Sequence, residues 1–494
     1  MTARPWLRRL VLGLFSVAAI LSPWSPPDPR TADSRTEAAP HACGPHAPAD
    51  ALGVSLPVPS TETWRDLLGA LVCFTHALTV TEVYDLGRYG ELLLADRRLF
   101  GDNTGLEVDD PALHVIRLGA RQRPPDEGVW PLPWGLGVGE VRVGDAVVDL
   151  IGRVWPSQAG GYLLEPEPAP VFEVRNPRPA APEPLSGDLR IAAVNLDNFF
   201  LRLDGRGADD PAALQRQLDK LVAALSRLDA DVLALMEIER DGGEALAALA
   251  AALNARLVAE AGDRARRYRA LPEAGESAGR PGDAVRQGFL VDAATVELLA
   301  LHADLAAVHE RAPQAATLRH RDSGTVLTVI AVHLRSKSRC PRSGDIDRGF
   351  GCWNLRRTAQ ATALLRFAQR LARDQGDSDV LLLGDLNAHR FEPPLAVFET
   401  EEVGWSVLTD RVPAERAVSY VFFGRSAALD HALASPTLAP RVSGITYWAI
   451  NADEPPLAGP GRGAVAPPGY RPDPYRSSDH DPLLVALTLT PEHE

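Results

Sequence analysis

Along the first third of the chain, short apolar runs alternate with turns and show little helical periodicity. From about Ser60 to Arg178 they read LVCFTHALTVTEVYDLG, GELLLAD, LHVIRLG, VRVGDAVVDLIGRV and GGYLLEPEPAPVF, and strands at this spacing predict a small all-β barrel. Asn176 to Gly187 (NPRPAAPEPLSG) then places four prolines in twelve positions, which reads as a semi-rigid linker. Beyond it the pattern changes. LRIAAVNLDNFF (189–200) predicts a strand leading into a loop, and PAALQRQLDKLVAALSRL (211–228) carries apolar residues at helical spacing. DVLALMEIE (231–239) predicts a buried strand ending in acids, followed by a helix from Gly243 to Leu257. Further strands are predicted near Ala284–Val291, Thr295–Ala300, Val326–Leu334, Val380–Leu383, Ala428–Leu433 and Leu483–Leu489, with a helix from Arg356 to Arg373. Strands mixed with helices over about 300 residues define an α/β unit, and periodicity alone does not choose its architecture.

The N-terminus has a different character. Arg4, Arg8 and Arg9 precede an apolar run from Leu10 to Leu21, too short to span a bilayer comfortably. Residues 1–24 therefore predict a signal peptide, with a membrane anchor as the competing reading. Residues 25–51, rich in Pro, Ala and charge, predict a disordered spacer. The chain then divides into a β domain at 52–178, a Pro-rich linker at 179–187 and a catalytic domain at 188–494. No other segment is apolar enough to cross a bilayer, so export would leave a soluble protein. The four cysteines, at 43, 73, 340 and 352, agree with export. Pairing of sequence neighbours is the simplest arrangement, with free buried cysteines as the alternative. A Cys340–Cys352 bond would contribute on the order of 3 kcal/mol by chain entropy.

Composition changes this picture little. At 45% hydrophobic and 23% charged the chain is ordinary for a globular protein. Its net charge of −14 excludes a general polycation that coats nucleic acid, though a local basic patch can still hold a phosphodiester.

Candidate chemistry gathers at strand ends. In VLLLGDLNAH (380–389), Gly384 ends the apolar run, and Asp385 and Asn387 are alternate residues projecting the same way if the chain stays extended. Asn195 follows IAAV, Glu237 follows DVLALM, and His333 ends TVIAVH. Asp430-His431 lies in ALDHALAS, and Asp479-His480 precedes the last strand. Each has a plain reading as a cap, a turn acid or a satisfied histidine. Together they predict one cleft, because a sheet collects its strand ends.

Asn195, LMEIE, AVHLRSK, LLLGDLNAH, LDHALAS and SSDHDP, in that order, resemble the endonuclease/exonuclease/phosphatase superfamily. Within it, the Arg311-Ala-Pro313 stretch, the loop CPRSGDIDRGFGCWN (340–354) and Trp448-Ala-Ile-Asn-Ala-Asp-Glu454 resemble the secreted bacterial nucleases. VRVGDAVVDLIGRV and GGYLLEP resemble the oligonucleotide/oligosaccharide-binding-like (OB-like) domain of those nucleases. The resemblance implies an α/β four-layer sandwich, two face-to-face β-sheets flanked by helices, preceded by a small OB-like barrel. Barrels of this kind stack bases on aromatics. Tyr84, Tyr89, Trp130, Trp134, Trp155 and Tyr162 are available for that, or to fill the barrel's core.

The chemistry and the resemblance assign the same roles. Glu237, helped by Asn195 and Asp479, is the expected ligand set for Mg²⁺ or Mn²⁺, with Ca²⁺ as a candidate support. His480 is the expected general base, oriented by Asp430. Asp385 would hold the attacking water or a second metal, and His333 and Asn387 would donate to phosphate oxygens. Arg311, Arg335 and Lys337 are expected to contact substrate phosphate. Two positions depart from the family pattern. QGFLVD (287–292) lacks the tyrosine often found near the phosphate. Glu239 competes with Glu237, since strand alternation puts both on one face; Glu237 matches the family position.

The expected activity is a secreted, metal-dependent hydrolysis of nucleic acid, DNA before RNA. An exported phosphodiesterase or phosphatase acting on lipid or small phosphoesters is the alternative. From Arg335 to Arg357 there are seven basic residues against two acidic ones, a local net of +5 beside His333, which favours nucleic acid.

Overall fold

Two parallel strand pairs explain where the polar strand ends collect. Leu189–Phe199 runs parallel to Val232–Glu239, and Val326–His333 runs parallel to Val380–Asp385. Each pair therefore delivers two C-terminal ends to the same edge. The computed structural model describes residue 43 and residues 47–489, apart from 123–130, 138, 204, 263–264, 275–281 and 377. It builds a six-stranded sheet around each pair. In the first, Tyr268–Ala270 and Val285–Asp292 extend one side, and Leu483–Leu487 and Val442–Tyr447 the other. In the second, Val296–Ala303 and Gln314–His320 extend one side, and Asp430–Ala434 and Ser406–Val407 the other. Leu483–Leu487 and Asp430–Ala434 are antiparallel to the central pairs, so both begin at the edge where the parallel strands end.

Side-chain alternation separates the layers. Ile191 and Ala193 join Val232, Met236, Val329, Leu381 and Leu383 in one buried cluster between the sheets. Their neighbours Ala192 and Val194 instead meet Leu221, Leu225, Leu246 and Leu249 of the helices Pro211–Leu228 and Glu244–Ala261. On the second sheet, Val380 and Leu382 meet Leu364, Phe367 and Leu371 of the helix Asn354–Gln375. The order is helix, sheet, sheet, helix, a mixed α/β fold. Each fully buried Leu or Val contributes about 1.5–3 kcal/mol relative to exposure.

The helix expected at 211–228 has those bounds: Pro211 occupies its first turn and Asp210 accepts from the Ala212 amide at 2.8 Å. Tyr268–Ala270, Gln314–His320 and Val442–Tyr447 are strands that the apolar pattern does not announce. Their runs are short or broken by polar residues. Gly384 also differs from expectation. It lies inside a strand that continues to Asp385, at φ 137°. A Cβ there would stand 2.2 Å from the Val332 carbonyl oxygen and 3.2 Å from Met236 Sδ. Glycine thus serves close approach of this strand to its neighbour in the same sheet, with Met236 of the facing sheet leaving little room above it.

The N-terminal part, between Leu52 and Glu173, is mostly strand. Nine strands form one sheet, with Trp64, Val72, Phe74, Leu78, Val80 and Leu164 in a common core. Tyr162 and Trp134 pack against that core, Trp155 donates to Glu165, and Tyr84 is exposed. The strand Leu99–Phe100 leaves this sheet and pairs with Arg425–Ala427, which in turn pairs with Tyr420–Phe422. The described residues form one compact unit. The proline-rich segment is bonded along its length: Asn176 donates to Asp453, Arg178 to Glu454, and the Pro179 carbonyl accepts from Trp448. Both disulfides pair sequence neighbours, Cys43–Cys73 and Cys340–Cys352. The expected signal peptide, most of the spacer and Trp130 lie outside the described residues.

Gly384→Ala should lower stability by about 2–4 kcal/mol, since the Val332 carbonyl cannot yield without disturbing the pairing of the two central strands of its sheet. An unchanged urea midpoint would contradict this account.

Candidate active site

The common edge of the two sheets brings the polar strand ends together. His333 and Asp385 are register partners at the ends of adjacent parallel strands, and Asp385 faces Asp430 across the next antiparallel pair. His480 Nδ1 lies 2.7 Å from Asp430 Oδ2. Asp385, Asp430 and His480 each offer a ligand atom within 4.8 Å of the others. From the opposite sheet, Asn195 Nδ2 lies 3.4 Å from Glu237 Oε1 and 3.5 Å from Asp385 Oδ2. His333 Nε2 is 3.3 Å from Asp385 Oδ2 and 3.8 Å from Glu237 Oε1.

Backbone irregularity aims these groups. Register shifts between Leu235 and Ile238, and Glu237 sits at φ 61°. This bulge overturns the expectation that Glu237 and Glu239 share a face, because simple alternation stops there. Glu237 accepts from the Asn198 amide at 3.0 Å, whereas Glu239 accepts from the Leu201 and Arg202 amides. Asn387, at φ 49°, also breaks the extended geometry assumed for it. Its amide nitrogen donates to Asp385 Oδ1 at 2.8 Å, and its side chain donates to the Leu334 carbonyl.

The electrostatics are those of crowded, desolvated acids. Burial and the charge of Asp479 push the Glu237 carboxyl above the usual carboxylate range. Burial, with Asp430 and Glu237 nearby, pushes Asp385 to about 7. Burial opposes charge on His480, but Asp430, Asp479 and Asp385 outweigh it and hold the imidazole well above its usual range. His333 moves the other way: burial, then Arg311 and His480, keep it neutral, and its Nδ1 is buried with no protein partner.

The expected phosphate contacts are differently engaged. Arg311 is buried and donates to the His333 and Leu334 carbonyls. It supports the strand end from beneath rather than facing solvent. Arg335 lies over the Trp353 ring at 4.7 Å, and Lys337 pairs with Glu392 at 2.5 Å. In the same loop Arg339, Arg342 and Arg348 are exposed.

Three features of the site were not anticipated. Asp197, at the exposed rim, is pushed up by desolvation and by Asp479 and Glu237; its only signal was its place two residues after Asn195. Tyr420 comes from a separate strand and sets its ring 4.7 Å from that of His480, so an aromatic hydroxyl reaches the site although QGFLVD lacks one. Asn451 and Asp481 hold the His480 segment. Asn451 donates to the His480 carbonyl at 2.6 Å and accepts from the Ser477 and Ser478 amides. Asp481 accepts from the Ile450, Asn451 and Ala452 amides. Two residues on, Asp453 pairs with Arg98 and Asn176, and Glu454 with Arg142 and Arg178.

Residues 192–480 match the model of the Endonuclease/Exonuclease/phosphatase family. The chain belongs to this family. Its members are phosphodiesterases, phosphatases and nucleases that typically use divalent metal ions, so this chain is a hydrolase of that family. Solved structures with a similar fold include the human Nocturnin catalytic domain with bound sulfate (15% identity, 61% of this chain and 95% of that one, TM-score 0.38). Others are the Bacteroides thetaiotaomicron mannosyl-6-phosphatase (14%, 61% and 99%, 0.40) and D. rerio TDP2 complexed with single strand DNA product (16%, 60% and 97%, 0.37). No curated protein matches the chain.

The donor set fits a family metal. Glu237 and Asp385, held above the usual carboxylate range by burial and by the acids beside them, mark an excess of negative charge that a hard cation would offset. Asn451→Ala should cost about 2–4 kcal/mol, because it leaves buried backbone groups unpaired, and should lower kcat by loosening the His480 segment. Thermal melting and steady-state rates would check both; a normal melt with a normal rate would contradict the role.

Proposed function

We propose that this chain is a secreted, metal-dependent nuclease of the bacterial extracellular type, hydrolysing phosphodiester bonds of nucleic acid, DNA before RNA. The observation that carries the reading is the His480–Asp430 pair, 2.7 Å apart, set among desolvated carboxylates from both sheets. Binding alone needs no such base.

In this reading Asp430 accepts from His480 Nδ1–H, which fixes the tautomer and leaves Nε2 to take a proton. Water attacks phosphorus in line with the leaving oxygen as His480 Nε2 accepts its proton, and no covalent enzyme intermediate forms. Glu237, Asn195 and Asp479 would hold Mg²⁺ or Mn²⁺, which when bound polarises the phosphate and offsets both the leaving oxygen's charge and these acids. Asp385, buttressed by the Asn387 backbone amide, positions the attacking water. Neutral His333 and the remaining N–H of Asn387 are the donors nearest the phosphate.

Support for nucleic acid comes from the segment after His333, where Arg342 and Arg348 are exposed in the loop closed by Cys340–Cys352 and Arg339 is exposed just before it. These carry the backbone-tracking role expected of the basic stretch from Arg335 to Arg357. The N-terminal sheet is read as the OB-like domain of such nucleases. Export is supported by the two disulfides, and no described helix is long and apolar enough to cross a membrane.

The full secreted chain should nick supercoiled plasmid with Mg²⁺, and EDTA or His480→Ala should abolish nicking. Asp430→Asn should lower kcat by about 10²–10⁴-fold. A folded wild type that nicks nothing with either Mg²⁺ or Mn²⁺ would overturn the DNA endonuclease reading.

A further inference from the structure

Beside the reaction centre the chain presents an aromatic series that the chemistry above does not use. Tyr420 stands 4.7 Å from the His480 ring, and Phe422, two residues along the same strand, lies 6.4 Å from Tyr420 with the rings inclined by 22°. Phe423 follows at 4.4 Å, edge to face with Phe422. The outer two rings are 58% and 75% exposed. Exposed phenylalanine has no solvation reason to be there, and two adjacent rings on a hairpin tip mark a contact surface.

The tip is held rather than loose. Phe423 is a bulky residue at φ 48°, a conformation that persists only where surroundings impose it. The N-terminal sheet supplies those surroundings. Thr81 Oγ1 donates to the Gly424 carbonyl, and the Gly424 amide donates to Glu82 Oε2 at 2.9 Å. A Cβ on Gly424 would come within 2.7 Å of Leu93. Leu99–Phe100 pairs directly with the hairpin's second strand. The rings are therefore preorganised, which lowers the entropy lost on binding a flat partner.

Building on the nucleic-acid reading, we infer that Phe422 and Phe423 form a stacking platform for an unpaired base flanking the scissile phosphate. Three features point to a base. The series starts at His480 itself, the Tyr420 and Phe422 rings are near parallel, and aromatic faces accept any base without sequence preference. A base paired in a duplex cannot offer its face, so the platform favours single-stranded or frayed substrate. A lipid surface is the competing occupant of two exposed rings. With a net charge of −14, the chain offers anionic lipid no general attraction.

The test compares kcat/KM on the oligonucleotide (dT)12 with kcat/KM on a strand of twelve abasic tetrahydrofuran units, which has no ring to stack; bis(p-nitrophenyl) phosphate serves as the small diester. In the full chain, Phe422→Ala with Phe423→Ala should lower the ratio of the two about tenfold, within the range for stacking one base. Phe422→Trp with Phe423→Trp should keep it. A wild type that cleaves (dT)12, with an alanine variant whose ratio is unchanged, overturns the platform and leaves the nuclease reading intact. A wild type that cleaves the small diester but neither (dT)12 nor plasmid overturns both. Co-sedimentation of wild type, but not of the alanine variant, with phosphatidylcholine vesicles at an unchanged ratio overturns the platform and assigns the rings to lipid.

Discussion

The structure is organised around keeping like charges close together and out of water. Glu237, Asp385, Asp430 and Asp479 converge on one edge, where burial and the neighbouring acids make Glu237 and Asp385 harder to ionise. Isolated acids would separate or turn to solvent. Here they cannot, because their strands are fixed by two sheets packed through a continuous apolar core. Folding energy from that core holds the site in a state that the site alone would not adopt. His480 is drawn towards positive charge by the same crowd, and a hard cation offsetting those acids would favour the neutral imidazole that the base role needs. The chemistry of the family follows from this charge excess.

Rigid strands do not suffice to aim the groups. Glu237, Asp197, Asn198 and Asn387 all adopt left-handed backbone conformations, and all lie at the site. Each such position costs on the order of 1 kcal/mol or more for a residue with a side chain. The gain is direction: the bulge at Glu237 turns its carboxyl to Asn195 and the Asn198 amide, while Glu239 is left to bind the Leu201 and Arg202 amides. Strain and function coincide because regular strands offer only two side-chain directions.

The N-terminal sheet is part of the same construction. Asp453 and Glu454 gather Arg98, Arg142, Asn176 and Arg178 on one side. On the other side, Asn451 and Asp481 hold the segment carrying His480. A buried network of this kind contributes geometric specificity more than net stability, since desolvation cancels much of the ion-pair energy. Asn451, two residues before Asp453, therefore links the groups that bind the N-terminal sheet to the segment carrying His480. The same sheet braces the aromatic hairpin, so both elements that flank His480 lean on it.

Much of this was legible in the sequence. Apolar periodicity located the principal strands and three long helices, because alternation and helical spacing report burial directly. Strand-end residues such as His333, Asp385, Asp430 and His480 could be read as one set, since sheets collect their ends. The neighbouring cysteines paired as their spacing suggested. What the sequence could not give were facts that depend on distant segments. Gly384 reads locally as a turn, yet its role is set by Val332 and Met236. Arg311 and Lys337 read as free cations until burial and Glu392 claim them. Tyr420 is unremarkable in AVSYVFFG until its strand is placed beside His480. Local pattern determines which residues are buried and in what kind of element. Only tertiary packing decides which charges meet, because that depends on pairings between segments far apart in the chain, as between Asp430 and His480 or Lys337 and Glu392.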